Sequence, residues 1–321
     1  MHFYHFLPLL PHILCQFELK EDFMKINVAV AGYGNLGKCL EKVALADDGV
    51  CLKGVLSRRK IASPYYIPFE NASSLDDVDV VLLALGSYSD ITQNIARFAK
   101  FNTVDSFDTH ADMCKYRNLL QEVKGNTLSV FGVGWDPGVL SLCRGLFSVG
   151  GGTTTTFWGK GISQGHSNAI RSVSGVIDAV EITVPNPVAK SEFLQGETPN
   201  ANDMHTRLCY ISRQPQDKER ISETVRQLPN YFAGQKTEIM FCSKEEVEKI
   251  KEQKSHCGEV VARSDAFESL VHLQVRDNAY YTAKIMLCYA KAIPQMKKDG
   301  FVGALDSFDI PMKYLAPKSL I

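Results

Sequence analysis

A doubly wound parallel α/β sheet followed by an α+β part with an open mixed sheet is the fold class this sequence predicts, and three observations predict it. Through residues 24–137, short continuous apolar runs alternate with amphipathic helical stretches, the pattern of strands buried on both faces by crossover helices. A glycine-rich turn follows the first apolar run. Beyond residue 137 the alternation gives way to strand-like runs with fewer helices between them, the mark of a largely antiparallel sheet.

The first strand is Val28-Ala29-Val30-Ala31, and Gly32-Tyr33-Gly34-Asn35-Leu36-Gly37 follows it in the G-x-G-x-x-G spacing. Gly32 allows the tight turn, Gly34 lets a pyrophosphate approach the backbone, and Gly37 lets the next helix pack closely on the strand. The positive end of that helix then faces the phosphates, so a Rossmann-like dinucleotide site is expected here. Residues 50–56 form the second strand and end at Ser57-Arg58-Arg59. An NAD site places an acid there for the ribose 2′-hydroxyl. A hydroxyl and two cations suit a 2′-phosphate instead, so NADP is the expected cofactor.

The third strand, residues 78–85, ends at Gly86-Ser87, where the carboxyl end of a parallel strand faces the cofactor. Residues 92–101 read as a helix with Ile91, Ile95, Phe98 and Ala99 on one face. A short strand at 103–105, a helix at 111–124 and a strand at 128–133 complete the alternation. After Gly134-Trp135-Asp136-Pro137-Gly138, strand-like runs occupy 179–185, 208–213, 237–242 and 259–263. Residues 279–298 read as a helix whose stripe of Ile285, Met286, Tyr289 and Ile293 returns to the first sheet. The expected division is therefore 24–137, dinucleotide-binding; 138–276, a second domain; and 277–321, a returning segment.

A chain of 321 residues, 45% hydrophobic and 22% charged, can bury a full core without staples. Its formal charge of −1 offers no general attraction to nucleic acid or anionic membranes. Nine cysteines, an odd number with no C-x-x-C pair, read as reduced thiols of a cytoplasmic protein. No stretch has the ~18 apolar residues of a membrane helix. Residues 1–23 lack the build of a secretory signal and are expected to be a disordered extension ahead of Met24.

Two carboxylates flank strand ends that should face the nicotinamide: Asp108 and Asp136. Together they could hold an ammonium group and accept its proton; alternatively, Asp108 caps a helix and Asp136 belongs to a turn with Pro137. Trp135 either packs in the core or walls a pocket. Phe157-Trp158-Gly159-Lys160-Gly161-Ile162-Ser163-Gln164-Gly165-His166-Ser167 is too rich in glycine and polar side chains for core and looks like a binding loop. Thr183, His205, Arg207, His256 and Asn278 include the donors that fix a carboxylate. No His, Cys or Asp set has metal-ligand spacing.

On the glycine motif, Ser57-Arg58-Arg59, Gly134-Trp135-Asp136-Pro137-Gly138, and Phe157-Trp158-Gly159 leading into Ser163-Gln164-Gly165-His166-Ser167, the chain resembles the meso-diaminopimelate D-dehydrogenases from about Met24 to its end. The resemblance implies NADP-dependent, reversible oxidative deamination at the D-centre of meso-2,6-diaminopimelate, giving L-2-amino-6-oxopimelate, ammonia and NADPH, for lysine and peptidoglycan synthesis. It implies that Asp108 and Asp136 act near the D-centre amino group, with Asp112 close by, and that Trp135 and Trp158 wall the pocket. Thr183, Arg207, His256 and Asn278 would hold the distal end, with Gln164 and Gly165 along the substrate. A homodimer formed through the second domain is also implied. Asn168 stands where an aspartate is expected, removing one charge near the substrate amines.

Overall fold

The computed structural model describes residues 25–87, 89–215, 217–253 and 255–316. The extension expected over residues 1–23 lies outside them. β1 (Ile26–Ala31) leads into α1 (Asn35–Leu45) and β2 (Val50–Ser57), and β3 (Tyr66–Pro68) pairs with β2 at the sheet edge. β4 (Val80–Leu83), α2 (Asp90–Asn94), β5 (Asn102–Asp105), α3 (Met113–Lys124) and β6 (Leu128–Val130) continue the alternation. The helix expected at 92–101 is shorter, because α2 tightens into a 3₁₀ turn at Ile95–Phe98, still burying Ile91, Ile95 and Phe98. The strand expected at 128–133 ends at Val130, although Phe131 and Val133 still donate to the carbonyls of Leu305 and Asp105 at 2.9 and 3.0 Å.

The remaining elements are α4 (Val139–Val149), β7 (Thr153–Trp158), β8 (Gly161–Ile162), α5 (Gln164–Arg171), β9 (Val176–Pro185), α6 (Pro187–Leu194), β10 (His205–Arg213), α7 (Lys218–Gln227), β11 (Lys236–Phe241), α8 (Lys244–Lys251), β12 (His256–Arg263), β13 (Glu268–Val275), α9 (Asn278–Lys298) and β14 (Gly303–Leu305).

Among the described residues, the first sheet runs β14-β6-β5-β4-β1-β2-β3, all parallel. Its continuous apolar runs follow from burial on both faces: Val28, Ala29, Val30 and Ala31 are all 0% exposed. α1 and α9 cover one face, and α2 and α3 the other. The order reverses between β1 and β4, and the carboxyl ends of these two strands open the crevice where an α/β sheet takes its ligand. α9 comes back as expected, burying Ala283, Met286, Ala290, Ile293 and Met296 with Leu40 and Val43 of α1.

Beyond β6 the structure has the open mixed sheet expected, but it divides the runs that read as one largely antiparallel sheet into two. It forms two sheets, β11-β10-β9-β8, mixed because β10 and β11 are parallel, and an antiparallel β13-β12-β7. Helices are also more numerous than expected. α7 and α8 are strongly charged and bury only Ile221 and Val225, and Val247, so few apolar residues mark them in the sequence. The stretch expected as a binding loop, residues 157–167, runs from the end of β7 through β8 into α5, whose start the Ser163 hydroxyl caps, accepting from the His166 N–H at 3.4 Å.

Gly159 joins the two sheets. Its N–H donates to Cys257 O at 2.7 Å, and with φ at +109° its Cα approaches Thr183 so closely that a Cβ would lie 2.2 Å from the Thr183 carbonyl oxygen. This contact gathers Trp158, Thr183, His205, Arg207 and His256. Among the described residues no helix is long and apolar enough to cross a membrane.

Candidate active site

At the crevice between β1 and β4 the three glycines do what their spacing requires. Gly32 has φ at +101°, and a Cβ there would lie 2.4 Å from Ala84 O; a Cβ on Gly37 would lie 2.1 Å from Gly32 O. Gly34 faces open space and caps α1 with no side chain, while the first turn, Asn35, Leu36 and Gly37, carries no acid. The unpaired amides and positive end of α1 therefore point into a cavity of about 390 Å³ lined by Gly32, Tyr33, Gly34, Ser57, Arg58 and Arg59 among others. Tyr33 is tied back by donating its hydroxyl to Glu41 at 2.5 Å, which helps push its pKa up to about 12. An uncapped helix start, a cradle that any Cβ would fill and adjacent guanidinium groups fit a dinucleotide with a phosphorylated ribose.

The two arginines are not equivalent. Arg58 is paired on both nitrogens with Asp90, Nη1 to Oδ2 at 3.1 Å, and stacks over Phe69 at 4.6 Å. Arg59 is exposed, and among the described residues its guanidinium has no ion pair. The Ser57 hydroxyl accepts from the Arg59 N–H at 3.2 Å and shapes that turn. Gly86 and Ser87 follow β4, and Ser87 Oγ accepts from the Asp108 N–H at 3.2 Å, linking the crevice to the next candidate group.

Asp108 stands across a cleft from the second part of the molecule: its Oδ2 lies 3.8 Å from where a Cβ on Gly165 would be. The residue keeps an exposed face, yet protein atoms crowd its carboxyl, and this desolvation raises its pKa against the opposing pull of Ser87 and His110. His110 stands 6.1 Å from Trp158, ring to ring, on the same cleft.

Asp136, expected either to pair with Asp108 on an ammonium group or to belong to a turn with Pro137, lies in the turn after Gly134. Its side chain is 1% exposed and both oxygens are engaged: Oδ1 accepts from Arg144 Nη2 at 2.7 Å and Ser141 Oγ at 3.3 Å, and Oδ2 from Arg144 Nη1 at 3.3 Å and from the Trp158 indole N–H. Four hydrogen bonds thus converge on this carboxylate, one of them fixing the Trp158 indole. Trp135 packs with Leu140 and Val260, and its ring meets that of His256 at 4.6 Å.

Deeper in, β9 and β10 place Thr183 opposite Arg207. Arg207, 8% exposed, donates from Nη1 to Thr183 Oγ1 at 2.7 Å, while its buried Nε has no partner. The Nη1 side of this buried guanidinium is thus engaged by Thr183, and its Nε is not. His205 Nε2 accepts from the Trp158 N–H at 2.9 Å, so that nitrogen is the unprotonated one; burial and Arg207 hold its pKa near about 3. His256 is buried, shares Nδ1 with Cys257 O at 2.9 Å, and is pushed down by burial. His166 is closed off as a base: Nδ1 meets Ser163 Oγ at 2.8 Å, Nε2 meets Tyr231 O at 3.1 Å, and burial, then Arg207, lowers its pKa to about 3.

The other candidates are more peripheral. Asp112 pairs with exposed Lys115 at 2.9 Å. Gln164 opens α5 beside Gly165. Asn278 starts α9 and accepts from Thr282 at 3.4 Å, next to the Gly134 turn. Asn168 Oδ1 accepts from Arg171. Two residues that sequence reasoning passed over belong to the site: Arg144, which holds Asp136, and Glu181, a fully buried acid beneath Thr183. Glu181 left a signal, an acid inside an apolar strand; Arg144 left none. Among the described residues no group of three or more His, Cys, Asp or Glu side chains could hold a metal ion.

Residues 134–276 match the family model described as the diaminopimelic acid dehydrogenase C-terminal domain. The chain is 34% identical over 315 residues to the meso-diaminopimelate D-dehydrogenase of Ureibacillus thermosphaericus, covering 92% of this chain and 97% of that one. It is 36% identical over 318 residues to the enzyme of that name from Acetivibrio thermocellus, covering 92% and 95%. Among solved structures it is similar to the C. glutamicum DAP dehydrogenase in complex with DAP, with a TM-score of 0.85 and 31% identity over 92% of this chain and 97% of that one. An engineered D-amino acid dehydrogenase bound to NADP+ is similar at a TM-score of 0.84 and 30% identity, with the same coverage.

Proposed function

The chain belongs to the meso-diaminopimelate D-dehydrogenase family, and from that membership we propose how its own residues carry out the NADP-dependent, reversible oxidative deamination of meso-2,6-diaminopimelate at the D-centre. NADP, when bound, supplies the hydride acceptor. Asn35, Leu36 and Gly37 at the start of α1 hold its phosphates, with Gly32, Tyr33, Gly34, Gly86 and Ser87 shaping the crevice, and Arg59 takes the 2′-phosphate beside Ser57 and Arg58.

The substrate has chemically identical ends, so selecting its D-centre requires fixing the distal end. The unpaired Nε edge of Arg207 is the observation that carries this reading: it receives the distal carboxylate, with Thr183, His256 and Asn278 around it. Trp135 and Trp158 wall the pocket, Asp112 lies at its rim, and Gln164 and Gly165 run along the substrate. Asp108 takes a proton from the D-centre ammonium, since desolvation makes it a stronger base than a solvated aspartate. Asp136 keeps Trp158 oriented.

We extend the reading to its setting. Residues 24–137 bind the dinucleotide, 138–276 bind substrate and dimerise, and 277–321 return to the first part, in a cytoplasmic homodimer. Exposed apolar side chains on α4 and β13, Leu146 at 71%, Val149 at 87% and Leu270 at 47%, support a second copy as partner. The direct test mixes the protein with NADP and meso-diaminopimelate and follows NADPH absorbance. Turnover is expected, much faster than with D-alanine, which has no distal carboxylate; equal rates for the two would overturn the assignment of Arg207.

A further inference from the structure

Under the pocket a single guanidinium faces a buried acid from below. β9 carries Glu181 and Thr183 two positions apart, hence on one face, and β10 sets Arg207 opposite Thr183 and Cys209 opposite Glu181. Glu181 is 0% exposed. Thr183 Oγ1 donates to its carboxylate, 3.0 and 3.2 Å from the two oxygens, and accepts from Arg207 Nη1 at 2.7 Å, which leaves Arg207 Nη1 3.8 Å from Glu181 Oε1. The Nη1 side of the guanidinium thus belongs to the strand network, and its Nε side is unpaired.

On the substrate reading above, the distal carboxylate would be a second acid drawing on the same cation. We propose that Glu181 is a positioning residue for that carboxylate: ionised, it neutralises Arg207 and weakens substrate binding, so binding draws a proton from solvent onto a Glu181 oxygen. No other bond changes. Thr183 still donates to the second oxygen, so the guanidinium keeps its place.

The surroundings make this charge change felt. His166 of α5 and His205 of β10 stay neutral, each held near about 3 by burial and Arg207, and His256 of β12 is likewise pushed down. Cys209 of β10, which also feels Arg226 of α7, is pushed up and stays a thiol. Arg207 is therefore the cation acting on Glu181, and it only partly offsets burial, which pushes the carboxyl up to about 8. Below that pH the acid is neutral and the pocket cationic. Above it the acid is charged and the pocket's attraction for a carboxylate falls.

The test measures kcat and KM for meso-diaminopimelate at saturating NADP across the neutral to alkaline range, in wild type and Glu181→Gln. The wild-type KM should climb by up to ~10-fold per pH unit above about pH 8. In Glu181→Gln that climb should vanish, leaving only the titration of the substrate's own ammonium groups, with kcat following one pH profile in both. Superimposed KM profiles would overturn the inference alone. Absence of wild-type turnover would overturn the substrate reading and the inference with it. Should Glu181→Gln not fold, the wild type answers by itself: mixed with saturating meso-diaminopimelate without NADP in weak buffer near pH 8, it should take up part of a proton per site, read with a pH indicator. No uptake would overturn the proposal.

Discussion

The Arg144 guanidinium lies side by side with the Asp136 carboxylate, Nη2 to Oδ1 at 2.7 Å and Nη1 to Oδ2 at 3.3 Å, and the same carboxylate accepts from the Trp158 indole. Asp136 is almost fully buried while Arg144 retains 23% side-chain exposure. Removing one partner of such a pair leaves a poorly solvated charge, at a cost of about 3 kcal/mol or more. Asp136→Asn should therefore lower Tm by several degrees and kcat/KM with it, because Trp158 loses its anchor. An unchanged Tm with lost turnover would mean that Asp136 acts on the substrate directly.

Arg58 and Arg59 predict cofactor choice separately. Arg59→Ala should weaken NADP by ~10–100-fold, the worth of one or two charge-assisted hydrogen bonds, and leave NAD nearly unaffected. Asp90→Asn releases Arg58 from its bidentate partner and should tighten NADP. Binding titrations with both dinucleotides decide this, and equal losses for NADP and NAD in Arg59→Ala would place the 2′-phosphate elsewhere.

Arg207→Met removes the buried cation that the distal carboxylate needs. KM for meso-diaminopimelate should rise ~100-fold or more, while D-amino acids without a second carboxylate lose little, so discrimination narrows. Parallel kinetics on meso-diaminopimelate and D-alanine read this, and unchanged discrimination would remove Arg207 from the pocket.

How legible these parts were depended on whether their cause is local. Gly32, Gly34 and Gly37 were readable because their spacing is a local signature, although only Gly37 is crowded from within it, by Gly32 O, while Gly32 is crowded by Ala84 after β4 and Gly34 faces open space. The Asp136–Arg144 pair was not, since it depends on the tight turn in which a Cβ on Gly138 would lie 2.0 Å from Gly134 O, and nothing in the spacing encodes that geometry. The division into two sheets was hidden for another reason. β7 opens with four consecutive threonines, which are β-branched but carry no apolar alternation, so the strand that founds the second sheet was silent. Glu181 was visible as an acid between Val180 and Ile182, but a buried charge declares its partner only when β10 is laid beside β9.

Cys257 should be a bystander. Burial raises its pKa and its thiol donates to Gly159 O, so it is a structural hydrogen-bond donor rather than a thiolate. Cys257→Ser keeps that donor and should retain kcat within about twofold, as hydride transfer needs no covalent enzyme intermediate. Loss of turnover with Tm intact would give the sulfur a chemical role.

Asp108 carries the proposed proton transfer, and its surroundings fix the sign of the pH dependence. The group must be ionised to accept the ammonium proton, and desolvation raises its pKa above the ordinary aspartate value, so the acidic limb of kcat/KM should lie above the usual carboxylate range. As pH falls through that raised value the base is lost and activity with it; at higher pH the rate reaches a plateau until Glu181 ionises. Asp108→Asn should lower kcat by ~100-fold to 10,000-fold, the usual worth of a positioned base, and erase the acidic limb. Its Tm should barely move, because the side chain forms no ion pair among the described residues, in contrast to Asp136→Asn. NADP affinity should also hold, since the phosphates sit at the start of α1. Near-native kcat in Asp108→Asn with the acidic limb in place would assign the proton to solvent, because His166, with both ring nitrogens engaged and its pKa held near about 3, is not available to take it.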